Sequence, residues 1–319
     1  MYTTKQTFLL LLTFIIIYSC AENKKFVQYS DEVSETNNDS TIIIIGDTQQ
    51  TSFWEFWRES NSDFTPVILK KIAEENPAMI LHLGDVVFNG ASTNHWNEFN
   101  EFAAPIFTKQ IPIYPVLGNH EYFGDNEEAL QNYFYHFPSA SNRQWYYKIY
   151  KSICFIFLNS NFSEMTRNEI YDQNDWLDLT VSELNGNEKI EHIIFISHAP
   201  PFTNSKVVDD EIFVQNYFAS VFNDSEKAVL FLSGHSHSYE HFIKENKHYL
   251  VSGGGGGPRH ELETDSKRND YHFDFFSGGP MRNLHYCKLI IHEHNLEIEM
   301  IQLEKETGEW SSGDCFYIP

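Results

Sequence analysis

Basic side chains are scarce in this 319-residue chain, with 22 Lys and Arg against 45 Asp and Glu and a formal net charge of −23. Proteins that coat nucleic acid need a basic face for the phosphate backbone, so no polynucleotide partner is expected. Electrostatic docking to anionic lipid is disfavoured for the same reason. Hydrophobic residues make up 41% of the chain, which is enough for a packed core and argues against global disorder.

A long apolar segment is also lacking. The N-terminal run at residues 8–17 is short for a transmembrane helix, which needs about 20 residues, and Lys5 before it gives the pattern of a signal peptide. Ile17-Tyr18-Ser19-Cys20 resembles a bacterial lipobox, which implies cleavage before Cys20 and lipidation of its thiol. An ordinary signal peptide with an incidental cysteine is the alternative.

These features predict three segments. Residues 1–19 would be a signal peptide, residues 20–40 a lipidated N-terminus and solvated tether, and residues 41–319 a single catalytic domain. We therefore expect an exported protein whose N-terminal lipid anchors it to a bacterial membrane, at the periplasmic face or the cell surface.

Cysteine is rare, and no CxxC pair occurs among the four present. This absence argues against a redox motif or a zinc–thiolate site. Besides Cys20, the chain has Cys154, Cys287 and Cys315, which allow one disulfide in three alternative pairings, and the sequence does not choose among them. Cys154 lies in the apolar run 153–158 and is expected to be a small core residue.

Five apolar runs have the length of buried strands, and each ends in a small residue followed by a polar one. They cover residues 42–45, 79–83, 111–117, 193–196 and 229–232, and end in Gly46-Asp47, Gly84-Asp85, Gly118-Asn119-His120-Glu121, Ser197-His198 and Ser233-Gly234-His235-Ser236-His237. Helical patterns lie between them at 66–75, 95–107 and 173–184. This alternation predicts an α/β fold with covered sheet faces.

The five endings point to a metal site. In sheets of this kind, ligands bind beyond the carboxyl ends of the strands. A single Gly-Asp is ordinary turn chemistry, but five endings composed of carboxylate, amide and imidazole groups suit divalent metals. Two ions about 3.5–4 Å apart, bridged by a carboxylate, suit phosphate displacement in which a metal-bound hydroxide attacks phosphorus.

The ordered motifs GD (46–47), GD (84–85), GNHE (118–121), SH (197–198) and GHSH (234–237) resemble the calcineurin-like metallophosphoesterases over roughly residues 41–257. The sequence His237-Ser238-Tyr239-Glu240 and the glycine run 253–257 look like the purple acid phosphatase-like branch. The resemblance implies a four-layer αββα sandwich, with two mixed β-sheets flanked by helices. It also implies two metal ions, of Fe, Mn or Zn, and a small phosphorylated substrate that is a phosphomonoester or a phosphodiester.

The resemblance assigns a role to each motif residue. Asp47 and His237 would bind the first metal, Asp85 would bridge, Asn119, His198 and His235 would bind the second metal, and Asn119 and His120 would meet the substrate, with Asp85 and His120 as the catalytic pair. His120 would act as general acid or orient the phosphate, and Glu121 would support it or its loop. Arg259, just after the glycines, is our candidate cation for phosphate oxygens.

Two positions depart from the family pattern. Many members have Asp-x-His at the first motif, where this chain has Asp47-Thr48-Gln49. Purple acid phosphatases place a Tyr three residues after the second-motif Asp, where this chain has Phe88. Gln49 is a weaker candidate ligand through its amide oxygen, and Phe88 cannot coordinate a metal. The altered first motif leaves an alternative open, in which the chain is a metal-binding surface lipoprotein that acts as a binding module after its catalysis has decayed.

Overall fold

The computed structural model describes residues 28–30, 32–33, 38–52, 57–140 and 143–319. Its strands are β1 (Asn38–Ile45), β2 (Pro77–His82), β3 (Ile113–Pro115), β4 (Tyr146–Tyr150), β5 (Ile153–Leu158), β6 (His192–Ser197), β7 (Ala228–Ser233), β8 (Tyr239–Lys244), β9 (Lys247–Ser252), β10 (Leu284–Ile291), β11 (Leu296–Leu303) and β12 (Trp310–Ile318). Its α-helices are α1 (Thr65–Glu75), α2 (Thr93–Phe102), α3 (Ala104–Thr108), α4 (Asn126–His136), α5 (Arg167–Gly186) and α6 (Ser220–Asp224). Short 3₁₀ turns at His120–Tyr122 and Pro138–Ala140 and a π-helical segment at Val214–Ala219 complete the described elements.

The strands form two six-stranded sheets, with the orders β12-β11-β10-β1-β2-β3 and β4-β5-β6-β7-β9-β8. Strands β1, β2 and β3 run parallel in the first sheet, and β5, β6, β7 and β9 run parallel in the second. The remaining pairings are antiparallel. Both sheets are therefore mixed, as the family resemblance implied.

Alternating side chains of the second sheet build two separate cores. Along β5, Phe155 and Phe157 join the core shared with the first sheet, whereas Cys154 and Ile156 join the core beneath α5 and α6. This follows from the two-residue period of a strand. Helix α1 also contributes to the first core, through Ile68. The predicted α/β sandwich with helices outside two sheets is confirmed.

The element boundaries differ from the sequence patterns in two places. The expected helix at 95–107 is divided into α2 and α3 at Ala103, because Pro105 lies in the first turn of α3 and has no N–H for a preceding turn. Helix α5 begins at Arg167, six residues before the expected start. Its N-terminus is fixed by a capping box, in which Thr166 and Glu169 satisfy each other's backbone N–H groups.

One described residue of the predicted tether at 20–40, Tyr29, is buried against the fold, while its described neighbours are exposed or half-buried. The Tyr29 side chain is 2% exposed, its hydroxyl donates to Asn100 Oδ1 at 3.1 Å, and its ring stacks on Phe137. Strand β1 already begins at Asn38. Tyr29 therefore packs in an apolar site on the fold, and the boundary at residue 41 stays a prediction. The predicted signal peptide and Cys20 lie outside the described residues, among which no helix is both long and apolar enough to cross a membrane.

The three cysteines in the described part of the chain are unpaired, so none of the possible disulfides forms there. Cys154 and Cys287 are buried, and burial raises the pKa of the Cys154 thiol to about 12. Cys154 is thus the inert core residue that the sequence predicted.

Candidate metal centre

The strand ends named by the sequence motifs meet at one place between the two sheets. Asp47, Asp85 and Asn119 follow β1, β2 and β3 of the first sheet, while His198 follows β6 and both His235 and His237 follow β7 of the second. These six side chains are the predicted metal ligands, and the structure brings their donor atoms together in two groups.

The first donor group consists of Asp47, Asp85 and His237. His237 Nε2 lies 3.3 Å from Asp47 Oδ1. Gln49 joins this group, since its Nε2 lies 3.2 Å from Asp85 Oδ2 and 3.0 Å from His237 Nε2, while its Oε1 is buried without a hydrogen-bond partner. The two atoms of an amide are interchanged by a half-turn of the group. That turn directs the oxygen, which is the atom a metal binds, between Asp85 and His237.

The second donor group consists of Asp85, Asn119, His198 and His235. His198 Nε2 lies 3.1 Å from Asn119 Oδ1, 3.1 Å from His235 Nδ1 and 3.3 Å from Asp85 Oδ2. Atoms that bind one ion at about 2.1 Å are separated by about 3.0–3.4 Å at octahedral to tetrahedral angles. These side chains therefore fit a single divalent ion. Asp85 belongs to both groups, so it is placed to bridge two ions.

Backbone carbonyls fix which nitrogen faces the site in two of the three ligand imidazoles. The Nδ1 atoms of His198 and His237 lie 2.8 Å from the carbonyl oxygens of Leu83 and Pro258. A carbonyl can only accept, so each Nδ1 carries a proton, and Nε2 is the nitrogen that faces the donor group and binds a metal once it is deprotonated. The carbonyls thus set the tautomer that a metal requires.

The ligand-bearing loops have uncommon backbone conformations. Asp47, Asp85, His235 and His237 have φ angles of 60°, 54°, 67° and 45°, in the left-handed region that residues other than glycine seldom adopt. Such conformations concentrate at functional sites. Gly118 is needed beside them, because a Cβ at this position would lie 2.1 Å from Asp85 Oδ1.

Glu121 holds the second and third loops together. Its carboxylate accepts four backbone N–H groups, from Asp85, Val86, Val87 and Gly118, at 2.7–3.4 Å. Burial and the nearby Asp85 charge raise the pKa of Glu121 to about 7. Glu121 therefore holds the loops of the site through their backbone N–H groups, in line with the supporting role that the resemblance implied.

The protonation of the donor groups is set by burial and by mutual charge. Burial opposes ionisation of Asp85, but His198 and His120 hold the pKa of its carboxyl well below the usual range. Burial alone would lower the pKa of His198, yet the Asp85 carboxylate raises it to about 9. Burial and the neighbouring His198 lower the pKa of His235 to about 3. His198 is thus the ligand that must lose a proton before a metal binds.

His120 is held at the edge of the second donor group by Phe88. Its Nδ1 donates to the Phe88 carbonyl at 2.7 Å, and its ring packs 5.0 Å from the Phe88 ring and 4.3 Å from that of Phe123. His120 Nε2 lies 3.9 Å from Asp85 Oδ2. Phe88, where the purple acid phosphatases place a tyrosine ligand, instead positions the His120 imidazole.

The Arg259 guanidinium is paired with a carboxylate. Its Nε and Nη2 donate to the two oxygens of Glu59 at 2.9 and 2.7 Å, and its Nη1 donates to the Arg282 carbonyl. Arg259 and Lys305 lower the pKa of Glu59 to about 2 although burial opposes this shift. Since none of these hydrogen bonds involves a proposed metal ligand, a role of Arg259 in phosphate binding stays a prediction.

The residues that flank the second donor group were not predicted from the sequence. A cavity there is lined by Ser160, Asn161 and Phe162, which follow β5, and by Phe213. The sequence does contain the signal that predicted the other strand ends. The apolar run 153–158 is a sixth run that ends in polar residues, Asn159-Ser160-Asn161. Phe213 has no comparable pattern, because it follows a loop that crosses from β6.

A family model described as calcineurin-like phosphoesterase matches residues 40–239, which include all six predicted ligands. The chain belongs to the calcineurin-like phosphoesterase family. The dimetal character of this family agrees with two donor groups that share Asp85. No curated protein is detectably similar to this calcineurin-like phosphoesterase in sequence.

Three solved structures share the fold of this calcineurin-like phosphoesterase. GAP50, the anchor in the inner membrane complex of Plasmodium, is 14% identical, with a TM-score of 0.58 over 87% of this chain and 89% of that one. A dimetal phosphatase from Danio rerio is 14% identical, with a TM-score of 0.55 over 88% and 98%. PhoD is 12% identical, with a TM-score of 0.57 over 87% and 69%. At these identities the likeness concerns the fold alone.

Metal binding should release about one proton per protein below about pH 9. The pKa of His198 is raised to about 9, and only the neutral imidazole binds a metal, so the apparent affinity for Mn²⁺ should rise about tenfold per pH unit between about pH 6 and 8. Calorimetry in two buffers of different ionisation enthalpy measures the released proton. His294→Gln, at a side chain 83% exposed, is the control. An affinity independent of pH would contradict this assignment.

Asp85→Asn should remove both metals, whereas Asp47→Asn should remove only the first. The reason is that Asp85 belongs to both donor groups and Asp47 to one. Elemental analysis after dialysis should give no bound metal for Asp85→Asn and about one ion for Asp47→Asn, against about two for the unaltered protein. Asp172→Asn, on the exposed side of α5, is the matched control. One ion retained by Asp85→Asn would show that Asp85 does not bridge.

Proposed function

We propose that this chain hydrolyses phosphate esters with two bound metal ions. The observation that carries the proposal is the pair of donor groups that share Asp85, within the part of the chain that matches the family model. When bound, the ions supply positive charge against the phosphoryl oxygens and lower the pKa of water. The chain's own residues bind the ions, orient the ester and move a proton.

Asp85 and His120 carry the protein's part of the chemistry. Asp85 Oδ2 lies 3.3 Å from His198 Nε2 and 3.2 Å from Gln49 Nε2, so it faces both donor groups, while Asp85 Oδ1 accepts the His120 backbone N–H at 2.9 Å. This hydrogen bond connects Asp85 to the loop that carries His120, the proposed general acid. Because the Nδ1 proton of His120 is committed to the Phe88 carbonyl, the proton for the leaving oxygen comes from Nε2. Asn119, beside His120, is placed to orient the ester.

The finer assignment to the purple acid phosphatase-like branch is part of this proposal. The glycine run supports it, since Gly255 N donates to the Gly46 carbonyl and Gly257 N donates to the Asp47 carbonyl, both in the first motif. A Cβ at Gly257 would lie 2.8 Å from the His237 ring. The run thus lies against the first donor group. With Phe88 in place of the tyrosine, no tyrosinate–iron colour is expected.

The alternative, a binding module whose catalysis has decayed, rests on Gln49 in the first motif. Gln49 offers one neutral oxygen where many family members have an imidazole, which weakens the first site. The position of Asp85 between the two donor groups, the second donor group and the contact of His120 with Phe88 support hydrolysis, however. These are the groups that the reaction needs, so hydrolysis is the function that the geometry favours.

His120→Ala should lower the rate while both metals stay bound. The loss should reach about 10²–10⁴-fold for an alkyl phosphate, which needs its leaving oxygen protonated, and should be far smaller for 4-nitrophenyl phosphate, whose leaving group is stable as an anion. Turnover and metal content of the Mn²⁺- or Fe²⁺-loaded protein measure both effects, with His294→Ala as control. An equal loss of rate on both esters would show that His120 does not act as the general acid. If the protein binds one metal and hydrolyses no monoester or diester, the alternative of a binding module is supported instead.

The proposal extends to an exported, lipid-anchored protein. It rests on the pattern at residues 5–20, which lies outside the described part of the chain. Cys20→Ser should move the protein from the membrane fraction to the soluble fraction, because the thiol that would be acylated is lost. Cell fractionation measures this shift, with Cys315→Ser as control. A protein that stays with the membrane after Cys20→Ser would exclude this anchor.

A further inference from the structure

A cavity of about 510 Å³ lies directly over the second donor group. Its floor contains three predicted metal ligands, Asn119, His198 and His235. Its volume falls within the range of about 300–1,000 Å³ that is usual for pockets that bind small ligands. The cavity is therefore within reach of the alcohol portion of a phosphoester held at the donor groups.

One wall of the cavity is aromatic and open. Phe162 lies 5.4 Å from Phe213 between ring centroids, and both line the cavity together with Ile170. Phe213 is 52% exposed and stacks on Tyr217 with an angle of 6° between the ring planes. Phe213 directly precedes the π-helical segment Val214–Ala219. π-helical turns are frequent at functional sites, so this local distortion suits a wall that binds a ligand.

The rest of the lining excludes a second anion. Apart from the floor and the apolar wall, the described lining residues are Ser160, Asn161, Ser163, Ala199 and Glu211. None of them is Lys or Arg, and the Glu211 carboxylate repels negative charge. A further phosphate or carboxylate of the substrate would therefore be unpaired here. The cavity suits a neutral group, and a wall of flat rings on one side suits a flat group.

We propose that this cavity binds the neutral aromatic ring of the alcohol portion of a phosphoester, stacked on Phe213 and Phe162. The proposal rests on the proposed hydrolysis and names its substrate class. In the reaction, the P–O bond to the alcohol breaks, water supplies a hydroxyl group to phosphorus, and the ring leaves on an alcohol that has gained a proton. A nucleobase and a simple aryl group share this stacking chemistry, with the serine, asparagine and glutamate groups facing the ring edge.

The test uses esters that differ in the ring and not in the leaving oxygen. Benzyl phosphate is paired with cyclohexylmethyl phosphate, and adenosine 5′-monophosphate with ribose 5-phosphate. On the metal-loaded protein, kcat/KM should be about 10-fold higher for the ring-bearing member of at least one pair, and the pair that shows it distinguishes an aryl group from a nucleobase. Phe213→Leu keeps an apolar side chain without a flat ring, and should reduce this ratio to about one.

Phe273→Leu is the matched control, since Phe273 is 67% exposed and does not line the cavity. It should keep the ratio of the unaltered protein. Ratios near one in the unaltered protein, or a ratio that Phe213→Leu does not change, would overturn the ring proposal while hydrolysis stands. If no ester is hydrolysed, hydrolysis fails, and calorimetric binding of benzyl phosphate and adenosine 5′-monophosphate decides the cavity. Tighter binding by the unaltered protein than by Phe213→Leu supports the wall, and equal or undetectable binding overturns it.

Discussion

The site depends on the position of Asp85, the one residue that belongs to both donor groups. Its carboxylate is fully buried, in a left-handed backbone conformation that costs free energy. Glu121 stabilises this conformation by accepting the Asp85 N–H together with three neighbouring N–H groups. An isolated buried carboxylate would be expelled or protonated. Here the His198 and His120 imidazoles keep the buried Asp85 carboxylate ionised, and the fold thereby places negative charge where metal ions would bind.

The sequence predicted those parts of the site that follow from strand order. Parallel strands end at the same edge of a sheet, so Asp47 and Asp85 had to be neighbours once β1 and β2 were recognised. The fold class followed from the same alternation of strands and helices. Strand order does not predict contacts between segments that are far apart in the sequence. Arg259 is paired with Glu59, 200 residues away, and no periodicity indicates that partner. Tyr29 likewise packs on Phe137, through an apolar site that exists only in the folded domain.

The acidity of the chain bears on how it would admit an anionic ester. Arg259 and Lys305 are paired with Glu59, and Arg282 is paired with Asp274. In the cavity over the second donor group, no described lining residue is Lys or Arg. Bound metal ions are then the largest positive charges available to the phosphoryl oxygens. An ester whose remaining portion is neutral avoids the repulsion that a second anion would meet from Glu211 and from the net charge of the chain.

The division of donors between the sheets links metal binding to the packing of the fold. The first sheet supplies the oxygen donors Asp47, Asp85 and Asn119, and the second supplies the imidazoles of His198, His235 and His237. Neither sheet alone has a complete donor group. Each group forms only when the apolar faces of the sheets are packed, as Ile44 and Phe157 are in the shared core. Bound ions would therefore join the sheets at their carboxyl ends, and the free energy of metal binding adds to that of sheet packing.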